Sequence, residues 1–160
     1  MAFKRILCAV DFSEASLAAL RKAAEMARFS ASRLYVLHSI EARPVVSSLP
    51  GIDEAGDMAV ELEEKATASL ESLVASSVSV LKGIQLTTEV TAGRASVEIL
   101  NHARDWQADL IVIGATGAAS REQIVVGSTA ERVMKDAPCS VLIVRQHEAQ
   151  RVVQSEVAAA

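Results

Sequence analysis

Aromatic side chains are scarce: one tryptophan, one tyrosine and three phenylalanines make up 3% of the 160 residues. Half of the chain is nonetheless apolar, so its core has to be assembled from Ala, Val, Leu and Ile. Basic residues are outnumbered, 16 against 20 acidic, for a formal net charge of −4. No basic stripe exists, which speaks against nucleic acid as a partner. Cysteine is equally sparse. Cys8 and Cys139 are isolated in apolar surroundings, and with only the scattered His38, His102 and His147 they support neither a disulfide nor a metal site. They read as small buried hydrophobes in a reducing cytosol. No apolar run approaches the ~20 residues that span a bilayer. The opening MAFKRILCAVDFSE lacks a signal-peptide core. The expectation is a cytoplasmic protein with no membrane segment.

What is present is a chain of alternating patterns. KRILCAV (4–10) and DLIVIG (109–114) carry continuous apolar runs after their charged first residues, as strands buried on both faces do. RLYVLHSI (33–40) and SVLIV (140–144) are further strands. IQLTTEVT (84–91) alternates, with Ile84, Leu86, Thr88 and Val90 on one side, and reads as an edge strand with one wet face. Between them lie helical stripes. The first helix, 14–29, carries Leu17, Leu20, Ala24 and Ala27. A long helix, 57–82, carries Leu62, Ala66, Leu70, Leu73, Ser77 and Leu81 and ends at Gly83, placed as a C′ glycine. The third, 95–107, turns Ile99, Leu100, Ala103 and Trp106 inward. The fourth, 129–137, turns in Ala130, Val133, Met134 and Ala137. The stretch EARPVVSSLPGIDEAGD (41–57) holds two of the three prolines and reads as a surface loop.

The order β-α-β-α-β-α-β-α-β requires parallel strands with right-handed crossovers, a doubly wound α/β sheet. Residues 1–146 form one domain, and 147–160 are expected to be a flexible tail. The first and fourth strands, being continuously apolar, belong at the centre. A ligand then sits at their carboxyl ends, where the chain carries Asp11 and the glycine loop GATGAASREQIVVGST (114–129).

That loop is unusual for what it omits: it has no lysine and no GK[ST]. Gly114 and Gly117 let the backbone turn and approach a ligand. Ser128-Thr129-Ala130-Glu131 spells a capping box, and a helix starting there offers free N–H groups and a favourable dipole to phosphate. The plain alternative is that these glycines make turns and Ser128 is a cap. Arg121 reads equally as a phosphate contact or a solvated loop residue. A carboxylate at Asp11 would repel phosphate, so it faces a donor such as a base amine or a ribose hydroxyl, or else Asp11 or Ser13 caps the first helix. His38 at a strand end reads as a structural histidine. Without a Walker-type lysine, an evident Mg²⁺ aspartate or a nucleophile elbow, holding a nucleotide is better supported than turning it over.

These residues resemble a known family. G114-x2-G117-x9-G127-S128 is similar to the G-x2-G-x9-G-[ST] signature of the universal stress proteins in their ATP-binding branch. ILCAVDFSEAS, RLYVLHSIE, ADLIVIGATG and GSTAERVMKDAPCSVLIV extend the resemblance, in collinear order, over residues 3–145. It implies a Rossmann-like fold with strand order 3-2-1-4-5 and ATP or another adenine nucleotide in the cleft, with Mg²⁺ or Mn²⁺ as candidate companions. It implies that Asp11 lies at the adenine, approached by Ala9 and Val10, with Ser39 offering backbone to the base. Ile113 and Gly114 would lie by the ribose. Gly117, Gly127, Ser128 and Thr129 would hold the phosphates. It also implies a homodimer through the last strand (Val141, Leu142, Ile143, Val144), which would cover an otherwise hazardous apolar edge. Ala95 departs from the proline common in the family. The expected role is a stress-response signalling or protective binding module. The alternatives are a slow ATPase on the same fold and a structural dimer with an empty pocket.

Overall fold

The computed structural model describes residues 2–41, 54–116 and 126–145. Gly117, Arg121 and the expected tail lie outside the described residues. The elements in chain order are β1 (Arg5–Ala9), α1 (Glu14–Ser30), β2 (Arg33–Ile40), α2 (Glu54–Ser76), α3 (Val78–Leu81), β3 (Gln85–Ala92), α4 (Ala95–Asp105), β4 (Leu110–Gly114), α5 (Ser128–Asp136) and β5 (Ser140–Val144). The strands form one parallel sheet in the order β3-β2-β1-β4-β5. The doubly wound fold expected from the pattern is therefore the observed one, with β1 and β4 central and β3 on an edge.

The two-residue period of the strands divides the core in two. Ile6, Cys8, Val10, Leu34, Val36, Leu110 and Val112 face α1 and the α2–α3 arm. Leu7, Ala9, Tyr35, Leu37, Ile111 and Ile113 face α4 and α5. Each fully buried Leu or Ile contributes about 1.5–3 kcal/mol. α1 reaches the sheet through Ala15, Ala18, Ala19, Ala23, Ala24 and Ala27, with Leu20 the one long side chain fully buried among them; the small residues let helix and strands approach closely. Cys8 is wholly buried, and burial pushes its thiol up to about 12, which leaves it inert. Cys139, partly buried beside the second cluster, is also pushed up by burial.

Three helical readings need correction. The long helix is broken: the Ser77 N–H donates to both Leu73 O and Val74 O, and a separate turn, α3, follows. Gly83 nonetheless ends that arm with φ +78, as a C′ glycine does. Leu62 is 46% exposed, on the part of α2 before its buried residues Ala66 and Leu70, and Met134 is 51% exposed although Val133 and Ala137 on either side of it pack on the core. The side of β3 opposite Leu86 and Val90 is not simply wet. Glu89 accepts from the Tyr35 hydroxyl and lies 3.3 Å from His102 Nε2. Those contacts hold the Glu89 carboxyl below its ordinary range, the Tyr35 bond foremost, while burial pushes the Tyr35 phenol up. Trp106 stacks at 5.2 Å on Tyr35. This cluster ties α4 to β2 and β3.

Candidate functional site: a cleft at the carboxyl edge of the sheet

Strand order reverses between β1 and β4, and a cavity of about 410 Å³ opens there. This is within the range of ligand clefts, about 300–1,000 Å³, and where doubly wound sheets bind ligands. Of the residues singled out from the sequence, Ala9, Val10, Asp11, Ser39, Ile113, Gly114, Gly127, Ser128 and Thr129 all line it. Sequence reasoning missed Ser16, Leu37, Glu41, Ile99, Thr116 and the pocket role of Ala95, which tertiary structure alone brings together.

One end of the cleft is the start of α5. The expected capping box does not form. The helix cap is Gly127, in an extended conformation (φ −64, ψ 153), and no side chain caps it. Ser128 is therefore the first helical residue, and Glu131 pairs with Lys135 at 2.6 Å instead of reaching back. The Gly127 N–H is spent on Ala115 O at 2.7 Å, and its carbonyl accepts from Glu131 N–H. The N–H groups of Ser128, Thr129 and Ala130 have no intrahelical acceptor by construction, and all three residues line the cleft. Exposed donors and the positive end of the helix dipole make this end receptive to an anion. α4 likewise has no side-chain cap, and its first residue, Ala95, also lines the cleft.

α1 differs. Ser13 Oγ accepts from Ser16 N–H at 3.2 Å and is its cap. Asp11 Oδ1 accepts from the Ser13 N–H at 3.1 Å and from its hydroxyl. Ser16 Oγ donates to Ser13 O at 2.9 Å and accepts from Asp11 N–H at 3.3 Å. Of the two readings of Asp11, the cap thus belongs to Ser13, and Asp11 braces it while lining the cleft. Asp11 and Glu41 put carboxylates toward the β1–β2 end. No lysine or arginine lines the cleft among the described residues. His38 has the structural role expected of it: Nδ1 lies 2.8 Å from Val10 O.

Gly114 lines the cleft, but its missing side chain serves the core. A Cβ there would lie 2.8 Å from Ala15 C and 2.9 Å from Ser16 N, both backbone atoms of α1. Its glycine requirement comes from helix–strand approach.

A parallel five-stranded sheet with a cleft at its switch point, bounded by an uncapped helix start, defines a Rossmann-like α/β domain. The particular family follows from comparison: residues 2–145 match the model of the universal stress protein family, and the chain belongs to that family. It is similar to universal stress protein YxiE of Bacillus subtilis, 33% identical over 89% of this chain and 99% of the relative. Among solved structures it is similar to UspA from Lactobacillus plantarum (28% identity, TM-score 0.76, 91% and 99% of the two chains). It is also similar to a universal stress protein from Archaeoglobus fulgidus in complex with dAMP (25% identity, TM-score 0.62, 91% and 100%).

Proposed function

We propose that the cleft binds an adenine nucleotide, ATP foremost, and that the protein acts in the cytoplasm as a dimeric stress-response signalling or protective module with little or no turnover. The observation that carries this reading is the make-up of the cleft: the first three N–H groups of α5, which have no helical acceptor, and Asp11 line the same cavity. Phosphates suit the first and a base amine the second. In this reading Gly117, Gly127, Ser128 and Thr129 hold phosphates. Ile113 and Gly114 flank the ribose, and Ala9, Val10, Asp11 and Ser39 surround the base. The dAMP complex of the Archaeoglobus relative supports the ligand class. Low turnover is supported by a glycine loop without a Walker-type lysine and by a cleft that no lysine or arginine lines among the described residues, because phosphoryl transfer needs its developing charge neutralised. Among the described residues no group of three or more His, Cys, Asp or Glu side chains could hold a metal ion. Mg²⁺ or Mn²⁺ would therefore arrive on the nucleotide's phosphates.

The test is to purify the protein without added nucleotide, denature it and identify what is released by chromatography and mass. Near-stoichiometric ATP is the expected result. ADP or AMP alone would favour the slow-hydrolase reading. No release, with no binding on titration, would sink the proposal.

For the dimer, β5 pairs only with β4 among the described strands and leaves Val141, Leu142 and Ile143 partly exposed. An apolar edge of this kind invites pairing with the same strand of a second copy. Leu142→Lys is expected to halve the mass measured by light scattering, with the circular dichroism spectrum retained. A folded variant of unchanged mass would move the interface elsewhere. No helix among the described residues is long and apolar enough to cross a membrane.

A further inference from the structure

Asp11 sits on a bend that the chain adopts at a cost, and one residue outside the cleft holds that bend from both sides. Phe12 has φ 62, the left-handed region, which is strained for a bulky side chain. Such a conformation persists only where neighbouring contacts impose it. Within the bend, Asp11 Oδ1 accepts from the Ser13 N–H and hydroxyl; from the neighbouring strand, the contacts come from His38. Its Nδ1 is 2.8 Å from Val10 O, the residue before Asp11. A carbonyl has only lone pairs to offer, so Nδ1 carries the proton and donates. The His38 ring also packs against the Phe12 ring, the residue after Asp11, with centroids 4.5 Å apart and planes tilted by 47°. Val10 is fixed further by its N–H bond to Leu37 O at 2.9 Å.

Strand alternation keeps His38 off the ligand. Leu37 and Ser39 line the cleft, while His38 does not; it lies on the α1 side of the sheet with Val10 and Phe12. It grips the residues flanking Asp11 without touching what Asp11 touches.

We infer that His38 is a positioning residue for Asp11, and that base selectivity in this cleft depends on the His38–Val10 and His38–Phe12 contacts. The inference rests on the adenine reading above. A carboxylate discriminates between bases only when its oxygens are held at hydrogen-bond distance and angle from the base's donors. The phosphate end, built on α5, owes nothing to His38.

The experiment compares affinities for ATP, GTP and inorganic tripolyphosphate by calorimetry, with melting followed in parallel. Asp11→Ala gives the selectivity that remains without the carboxylate. His38→Phe keeps a ring against Phe12 but removes the donor to Val10 O. It is expected to lower the ATP-over-GTP preference by about fivefold, the equivalent of one hydrogen bond, with tripolyphosphate affinity unchanged. His38→Asn places an amide donor near the Nδ1 position and is expected to recover most of the preference. Phe12→Gly accepts φ 62 without strain but gives up the packing of the Phe12 ring on His38 and on the α1-side core, so it is expected to melt lower than the wild type while freeing one side of the bend. It is expected to lose preference as well, a result that a purely structural role for the pair does not give.

Wild-type preference in both His38→Phe and Phe12→Gly would overturn the inference and leave the adenine reading standing. So would a parallel loss of tripolyphosphate affinity, which would mark general damage. If His38→Phe does not fold, Phe12→Gly decides alone. Equal affinity of the wild type for ATP and GTP, or no binding of either, would overturn the adenine reading, and the role given to His38 with it.

Discussion

Gly127→Val is expected to weaken ATP binding by at least a hundredfold while the protein stays folded. The backbone explains why the fold survives: at φ −64 and ψ 153 a valine is comfortable, since this is the extended region β-branched residues favour. As a helix cap, valine is poorer than glycine by about 1 kcal/mol. Binding suffers far more. Gly127 lines the cleft immediately before the unspent N–H groups of Ser128, Thr129 and Ala130. A branched side chain at that point is expected to fill the space through which phosphate oxygens reach them. Losing two charge-assisted hydrogen bonds, each worth about 1.5–3 kcal/mol, amounts to about a hundredfold or more. Calorimetry with ATP and a thermal melt check the two halves separately. Retained affinity would mean that phosphate sits elsewhere in the cleft. A collapsed melt would mean that Gly127 is structural.

Much of this architecture can be read before any coordinates. Uninterrupted apolar runs at 6–10 and 110–114 mark β1 and β4 as central, and the alternation of residues 84–91 marks β3 as an edge. What the sequence conceals is which partner each local pattern serves. Ser-Thr-Ala-Glu at 128–131 has the letters of a capping box, yet the chain enters α5 one residue earlier. Glu131 then lies one turn from Lys135, and a 2.6 Å ion pair forms instead. The first helix has its real cap at Ser13, and only its hydrogen bonds to Asp11 and Ser16 tell the two acceptors apart. Apolar periodicity likewise puts Leu62 and Met134 on buried stripes, yet both are exposed.

The cleft shows the same division. Asp11, Ser39 and the glycines announce themselves by position at strand ends. Ser16, Leu37 and Ile99 reach the cavity only because α1, β2 and α4 converge on it. The role of His38 is hidden for a related reason. It depends on a residue 28 positions away in sequence and on a φ value that no spacing reveals.

Gly114 and Gly127 belong to one motif, yet Gly114 lies against the backbone of α1 and Gly127 stands at the uncapped start of α5. Gly114→Ala is therefore expected to lower stability first and binding second. A Cβ at Gly114 would stand 2.8 Å from Ala15 C and 2.9 Å from Ser16 N. Neither atom can swing aside as a side-chain tip could, so β4 and the first turn of α1 must separate. Overpacking of this kind costs about 3 kcal/mol, at the upper end of its usual range. Reducing the freedom of the unfolded chain returns about 0.4–1 kcal/mol. The net loss, about 2 kcal/mol, corresponds to a fall in Tm of about 4–8 °C for a chain of this size. Binding is expected to weaken by a smaller factor than in Gly127→Val, through Ser16, whose hydroxyl accepts the Asp11 N–H. Parallel melts and titrations of the two variants decide the matter. An unchanged Tm for Gly114→Ala would show that α1 yields without cost. A binding loss as large as that of Gly127→Val would show that Gly114 is kept free of a side chain for the ligand and not for the helix.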